Sequence, residues 1–349
     1  MPAGSDCGEE RQMNELQTIL ADSVNGLLSE RVTRDLIQKA EDGVWPQALW
    51  NELEANGLTR VLAPEAQGGA GGTWADAAIV LKAAGRHVAP LPLAEAVLAH
   101  WLLAEAGIAA PDGVLTVMEG DFALAGGKLS GTAPRVPWGR HAAHGVALFG
   151  AEVVLAPLAG AAIGHDINVA REPRDAVTLK DVAVQSASVS LPKNALRLYG
   201  ALIRACQMAG ALDYLAEQTV AYANERTQFG KPIGKFQAIQ QQLAVLATQA
   251  AAAGIAADHA CASLNKGDAT FEIAVAKIRA DDASSIATSI AHQVHGAIGF
   301  TYEHGLHFAT RRLWSWRAEF GAGTEWAESL GRETISRGAD ALWPYVTAR

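Results

Sequence analysis

The segment Asn224–Gln241, NERTQFGKPIGKFQAIQQ, constrains the fold more than any other stretch of the chain. Before it, Ala195–Ala223 runs without a proline, and after it Ala238–Asn265 does the same. Gly230, Pro232 and Gly234 punctuate the segment as a turn. Long helices joined by so short a connection point to an up-and-down bundle. The turn also carries Arg226, Gln228, Lys231 and Lys235, interleaved with Phe229 and Phe236. A guanidinium is a rigid fork of donors suited to a diphosphate, and an aromatic offers a flat face for a ring. The turn therefore has the chemistry to hold a phosphate-bearing, ring-bearing ligand. The plainer reading is a helix–helix connection with solvated charges.

Three blocks in the C-terminal half decide between these readings. Arg226-Thr-Gln-Phe-Gly-Lys-Pro-Ile-Gly resembles the RxxFGxxI turn of the acyl-CoA dehydrogenase family. Gln293-Val-His-Gly-Ala-Ile-Gly-Phe-Thr-Tyr-Glu-His304 is similar to that family's QxxGGxGxxxEx segment, and Glu319-Phe-Gly-Ala-Gly-Thr324 to its last active-site loop. The blocks stand in family order and at family-like spacing. The resemblance implies FAD as cofactor and FAD-dependent α,β-dehydrogenation of an acyl-CoA thioester. It also implies an oligomer, either a homo-oligomer (dimer or tetramer) or a heterotetramer with a related catalytic subunit.

Composition sets the outer bounds. A chain of 349 residues can bury a large core and is expected to form two or three domains. Half of it is hydrophobic, which excludes global disorder. A net charge of −9 argues against nucleic-acid binding as a main activity, and the basic turn at Arg226 is only local. Cys7, Cys206 and Cys261 include no CxxC pair, so neither a disulfide framework nor a structural zinc site is expected, and they suit a reducing cytosol. Asp6, Glu9 and Glu10 stand where a signal peptide would be basic and then apolar, and no apolar run reaches the roughly 18 residues of a membrane span. A cytoplasmic protein is expected.

Taken in order, residues 11–42 read as helices, with Leu16, Ile19, Leu20, Val24, Leu27 and Leu28 on one stripe. Trp45–Asn56 continues in the same style. The glycine run between Gly57 and Gly72 does not fit GxGxxG and reads as a connecting loop. Thr73 with Asp76 can form a capping box for a helix from Trp74 to Gly85, and Leu93–Ala106 is a further helix. From Gly107 to Pro192 the pattern changes to short β-rich runs, Val114–Met118, Val146–Phe149, Val153–Leu155 and Val182–Val184, separated by turn residues. After Lys193 the chain is helical again, and Phe271, Val275, Ile278, Ile286, Ile290 and Val294 share one helix face. The expected fold is mostly α with a central β domain: an N-terminal helical domain over 1–110, a small antiparallel β domain over 111–192, and a C-terminal bundle of four-helix type over 193–349. This is the architecture the family resemblance also implies.

The family reaction needs a carboxylate to take the α-proton and hydrogen-bond donors for the developing enolate. In the resemblance that base is a Glu at one of two places, and here those positions are Ala322 and Gly200. No catalytic residue is therefore assigned. Glu319 and Glu325 flank the last loop as candidates for a relocated base, and Arg204 places a cation one turn after Gly200. The family's TEPGAGSD-like segment is replaced by Met118–Gly126, and its WITN-like strand by Arg135-Val-Pro-Trp138, with Trp138 either near a flavin or simply packed. The cofactor residues carry over better. Arg226, Gln228, Phe229, Phe236 and Gln237 match the turn that reaches the flavin dinucleotide of an adjacent subunit. Gln293, Gly296 and Gly299 match the loop for its adenosine end, and Thr324 matches the loop threonine. The surviving set is the half-site donated across an interface, so the resemblance implies an active dehydrogenase with a relocated base, a non-catalytic subunit completing a partner's flavin site, or a flavoprotein of the same fold with other chemistry. The i, i+3 histidine pairs, such as His292 with His295, have no completing ligands, and no metal is expected.

Overall fold

The computed structural model describes residues 15–347; Cys7 and the start of the helical stretch predicted over 11–42 lie outside them. Five helices come first: α1 Glu15–Arg31, α2 Arg34–Glu41, α3 Gln47–Ala55, α4 Trp74–Arg86 and α5 Leu93–Glu105. The Thr73 N–H and hydroxyl both donate to Asp76 Oδ2, at 2.7 and 2.8 Å, which fixes the start of α4. The apolar stripe of α1 is only half used, because Val24 and Leu28 are buried while Leu16 and Ile19 face outward.

Eight strands follow: β1 Leu115–Val117, β2 Asp121–Ala125, β3 Lys128–Pro137, β4 His144–Phe149, β5 Glu152–Pro157, β6 Ala162–Gly164, β7 Arg174–Ala183 and β8 Gln185–Ser188. They form two four-stranded sheets, ordered β1-β4-β5-β8 and β2-β3-β7-β6. Pairing is antiparallel except between β1 and β4, which run parallel. Met118, Leu129, Val136, Val154 and Val177 fill a small core of this region, while Leu115, Val146 and Val153 join the main core of the helices.

The remainder is helical: α6 Ala195–Glu225, a hairpin of β9 Thr227–Gln228 with β10 Lys231–Pro232, α7 Gln237–Ser263, α8 Thr270–His295, α9 Leu306–Trp316, α10 Gly323–Arg337 and α11 Leu342–Thr347. The fold is thus mostly α with a central β domain, helices on either side of it in sequence. One expectation needs correcting. The buried face of α8 is Ile273, Ala276, Ala280, Ala283, Ala287 and Ala291, whereas Ile286 of the predicted stripe is exposed. Small residues let α6, α7 and α8 approach closely, and the larger ones are displaced to the flanks. Cys206 and Cys261 meet across α6 and α7 as free thiols, their Sγ atoms 3.6 Å apart.

The tightest approach is between α4 and α6. A Cβ at Gly85 would stand 1.9 Å from the Gln207 carbonyl oxygen, and one at Gly210 the same distance from the Lys82 carbonyl oxygen. Gly→Ala inside a helix ordinarily gains about 1 kcal/mol of propensity. Here the obstacle is backbone, which cannot rotate aside, and overpacking of this kind costs about 1–3 kcal/mol. Gly210→Ala is therefore expected to lower the thermal unfolding midpoint, and a rise would mean the two helices can separate freely.

Candidate active site

The hairpin between α6 and α7 turns through Phe229 and Gly230, both in left-handed conformation (φ +53° and +80°). This pushes the Phe229 ring out into solvent, 92% exposed. The Arg226, Gln228 and Gln237 side chains are also exposed, while Phe236 is half-buried under Lys231, whose Nζ lies 4.4 Å from its ring centroid. The end of α6 is tied to the end of α8. Tyr222 stacks on His295 at 4.3 Å, and its hydroxyl donates to the His295 carbonyl at 3.3 Å. Immediately beyond, Gln293 and Gly296 line a surface cavity of about 570 Å³ with His292, Phe300 and Trp314. Gly299 is buried under His295 and Leu306, and Thr324 is exposed at the start of α10. The structure thus brings the Arg226 turn and the Gln293 loop onto adjoining helix ends.

A larger cavity, about 770 Å³, opens between the sheets and the segment after α9. Pro134 and Arg135 reach it because β3 carries an extra residue against β7: Ala133 pairs with Val177 but Val136 with Asp175. Such a bulge re-aims side chains, and here it turns Arg135 into the cavity. Trp138, the residue expected near a flavin, does not line this cavity. Its indole is 3% exposed, edge-on to Trp45 at 5.9 Å and near His141 at 6.0 Å, so it joins the sheets to the N-terminal helices as packing.

Both candidate carboxylates are paired with arginine. Glu319 accepts from Arg174 Nε at 2.7 Å and from Arg204 Nε at 2.7 Å. Burial alone would raise its pKa, but the charges and hydrogen bonds of Arg174 and Arg204 hold it at about 2. Glu325 occupies the first turn of α10, where the Ala322 N–H donates to it at 3.1 Å and Arg197 pairs with it in solvent. At Gly200 there is no room for a carboxylate: a Cβ there would stand 2.2 Å from the Phe320 ring. Phe320 holds this place with a left-handed backbone (φ +54°), and Arg204 lies 5.6 Å from its ring centroid.

Arg204 and Glu319 belong to a buried ionic network that sequence reading missed. Arg204 also pairs with Glu95 of α5, and Arg174 pairs with Glu172 at 3.0 Å. Glu172 meets Arg312 Nε of α9 at 3.2 Å, and accepts from Trp316 Nε1 at 2.9 Å and Asn168 Nδ2 at 3.0 Å. Glu41 of α2 closes the chain through Arg311 at 2.6 Å and Arg312 at 3.6 Å. The network joins the N-terminal helices, the sheets and the bundle. The one signal in the sequence is Glu95, a lone charge inside the apolar run Leu93–Leu103, since a charge so placed must find a partner. Among the described residues no group of three or more His, Cys, Asp or Glu could hold a metal, and no helix is long and apolar enough to cross a membrane.

The family models "Acyl-CoA dehydrogenase, N-terminal domain" and "Acyl-CoA dehydrogenase, C-terminal domain" match residues 14–110 and 198–328. The chain belongs to the acyl-CoA dehydrogenase family. It is 32% identical over 312 residues to acyl-CoA dehydrogenase IpdE2 of Mycobacterium tuberculosis, covering 87% of this chain and 91% of that protein. To the IpdE2 of Mycolicibacterium smegmatis it is 31% identical over 316 residues, covering 86% and 93%. Among solved structures, a chain of the ChsE4–ChsE5 complex from Mycobacterium tuberculosis superposes with a TM-score of 0.86 at 23% identity, covering 94% of this chain and 99% of that one. A chain of the Tcur3481–Tcur3483 steroid ACAD, as a variant, gives 0.84 at 24%, covering 94% and 100%. Acyl-CoA dehydrogenases are FAD-dependent oxidoreductases, so the residues around both cavities bear on how a flavin and a thioester could be held.

Proposed function

We propose that this chain is the non-catalytic subunit of a heteromeric acyl-CoA dehydrogenase. In this reading it pairs with a related, base-bearing subunit and completes that partner's FAD site. The observation that carries it is the cleft itself. Phe320 fills the space over Gly200, Ala322 has no carboxylate, and Glu319 is locked between two arginines. The ChsE4–ChsE5 and Tcur3481–Tcur3483 structures are complexes of two different chains, which is in keeping with such pairing.

The residues present fit the adenosine diphosphate end of FAD better than its ring. Arg226 makes no ion pair among the described residues, Phe229 is almost fully exposed, and His292 Nδ1 is buried without a partner beside the Gln293 and Gly296 cavity. A turn with a free guanidinium and a bare aromatic ring is suited to a ligand from a neighbouring subunit. Bound FAD supplies the acceptor for a hydride from the substrate β-carbon. This chain's residues have the task of binding and orienting: Arg226 and Gln228 toward the diphosphate, Gln293 and the glycines toward the adenosine, with Phe236, Gln237 and Thr324 at the edge of that surface.

Two results follow. Flavin absorbance of the co-purified pair should correspond to one FAD per two chains, with none retained by this chain alone; retention by the isolated chain in full stoichiometry would overturn the reading. Arg226→Ala should weaken FAD retention by the pair by roughly 10–100-fold, as expected for loss of a charge-assisted hydrogen bond worth roughly 1.5–3 kcal/mol. Unchanged retention after gel filtration would remove Arg226 from the site.

A further inference from the structure

Four of the ten histidines in the sequence lie between residues 292 and 307, around the loop that joins α8 to α9. Each ring packs against an aromatic neighbour, and two of them meet each other. His295 meets His304 at 4.7 Å and stacks on Tyr222; His292 stacks on Phe300 at 4.6 Å; His307 lies 5.2 Å from Tyr302 and 4.2 Å from Phe308. Three ring nitrogens, His292 Nδ1, His295 Nε2 and His307 Nε2, are buried without a hydrogen-bond partner. The dehydrogenase reading uses His292 Nδ1 beside its cavity but gives no role to the imidazoles of His295, His304 and His307.

We propose that the His295–His304 contact is a proton-sensitive latch that holds the loop 296–305 closed when both rings are neutral and releases it when they become charged. As a control on flavin retention the latch rests on the proposed function; as a property of the loop it does not.

The charges around the latch favour the neutral state. Burial lowers the pKa of His295, and His304 and His292 lower it further, against the Ala291 carbonyl. Burial and Arg34 lower that of His304. Burial lowers His292, and His307 is lowered by burial, Arg311 and Arg34, against the His304 carbonyl and Glu41. Arg34 reaches across from α2 to donate to the Tyr302 and Glu303 carbonyls, so a fixed cation already clamps the loop. Of the carboxylates near the group, Glu41 is committed to Arg311 and Arg312, and Glu303 is exposed. From α6, Tyr222 packs against both rings of the latch. The charges that bear on His295 and His304 are Arg34 and the neighbouring imidazoles, so a new proton there meets cations. For a group with a depressed folded pKa and a basic nitrogen, the closed state is favoured at pH above the ordinary histidine value near 6.5 and loses ground as pH falls below it.

Hydrogen–deuterium exchange on the full chain tests this directly. Protection factors of peptides covering 296–305, corrected for intrinsic pH dependence, should fall about tenfold from pH 7.5 to 5.5, one pK unit of linkage. Peptides from α6 and α7 should hold theirs. His304→Asn keeps an acceptor for the Leu306 N–H, now 3.3 Å from His304 Nδ1, and should flatten the response; His295→Phe, which keeps the stacking on Tyr222, should do the same. A loop whose protection ignores pH, or variants that respond like the wild type, would overturn the latch. If the loop opens on schedule but the pair keeps its FAD at pH 5.5, the latch stands and the placing of the adenosine at this loop falls.

Discussion

Assayed alone with a panel of acyl-CoAs and an artificial electron acceptor, the chain is expected to turn over about 10²–10⁴-fold more slowly than a base-bearing relative, the usual worth of general-base catalysis. Gly200→Glu should not restore activity, because its first side-chain carbon would already meet the Phe320 ring at 2.2 Å. Ala322→Glu is also expected to fail in the isolated chain. The cavity next to it presents Arg135 and the paired Arg174 and Glu319, an ionic lining poorly suited to a dry proton abstraction. Activity should appear on mixing with the related subunit. Robust turnover by the wild-type chain on its own would refute the non-catalytic reading. It would also reopen the case for Glu319 and Glu325.

Glu319→Ala is expected to destabilise the fold more than the helix-packing change Gly210→Ala. It would leave Arg174 and Arg204, both almost fully buried, without the carboxylate they share. Removing one partner of a buried ion pair costs about 3–5 kcal/mol, since the remaining charge stays out of water. Glu319→Gln keeps acceptor and shape and should cost less. The pH dependence has a definite sign. Glu319 has a folded pKa of about 2, below the ordinary glutamate value near 4.3, so its contribution is complete above that value and is lost as pH falls toward 2. Urea midpoints at pH 7 and pH 3 measure both effects. A variant as stable as the wild type at pH 7 would mean the arginines find other partners.

The parts of the molecule legible in the sequence are those encoded locally. The helices around Arg226 announce themselves by length, absence of proline and a glycine-marked turn. The box at Thr73 needs only two residues three apart. The strands Asp121–Ala125 and Lys128–Pro137 are harder, because glycine, proline and charge interrupt them and their stability comes from cross-strand pairing rather than composition. The face of α8 departs from its apolar stripe because size is a poor guide to burial where close helix packing selects alanine. The ionic network is not legible beyond the hint at Glu95. Arg204 and Glu319 are 115 residues apart, Arg174 and Glu319 145, and no local pattern joins them. Phe320 over Gly200 belongs to the same class: the glycine is visible in the sequence, but not the ring that packs over it.

That ring has a consequence for how this chain can change over generations. A side chain at 200 is blocked while Phe320 remains, and shrinking Phe320 first would uncover Arg204 and leave a void beside it. Each step toward a carboxylate at 200 is thus harmful until the other has been taken, a case of strong coupling between neighbouring sites. Placing a carboxylate at 200 would need both replacements together, so the two positions can change only as a pair.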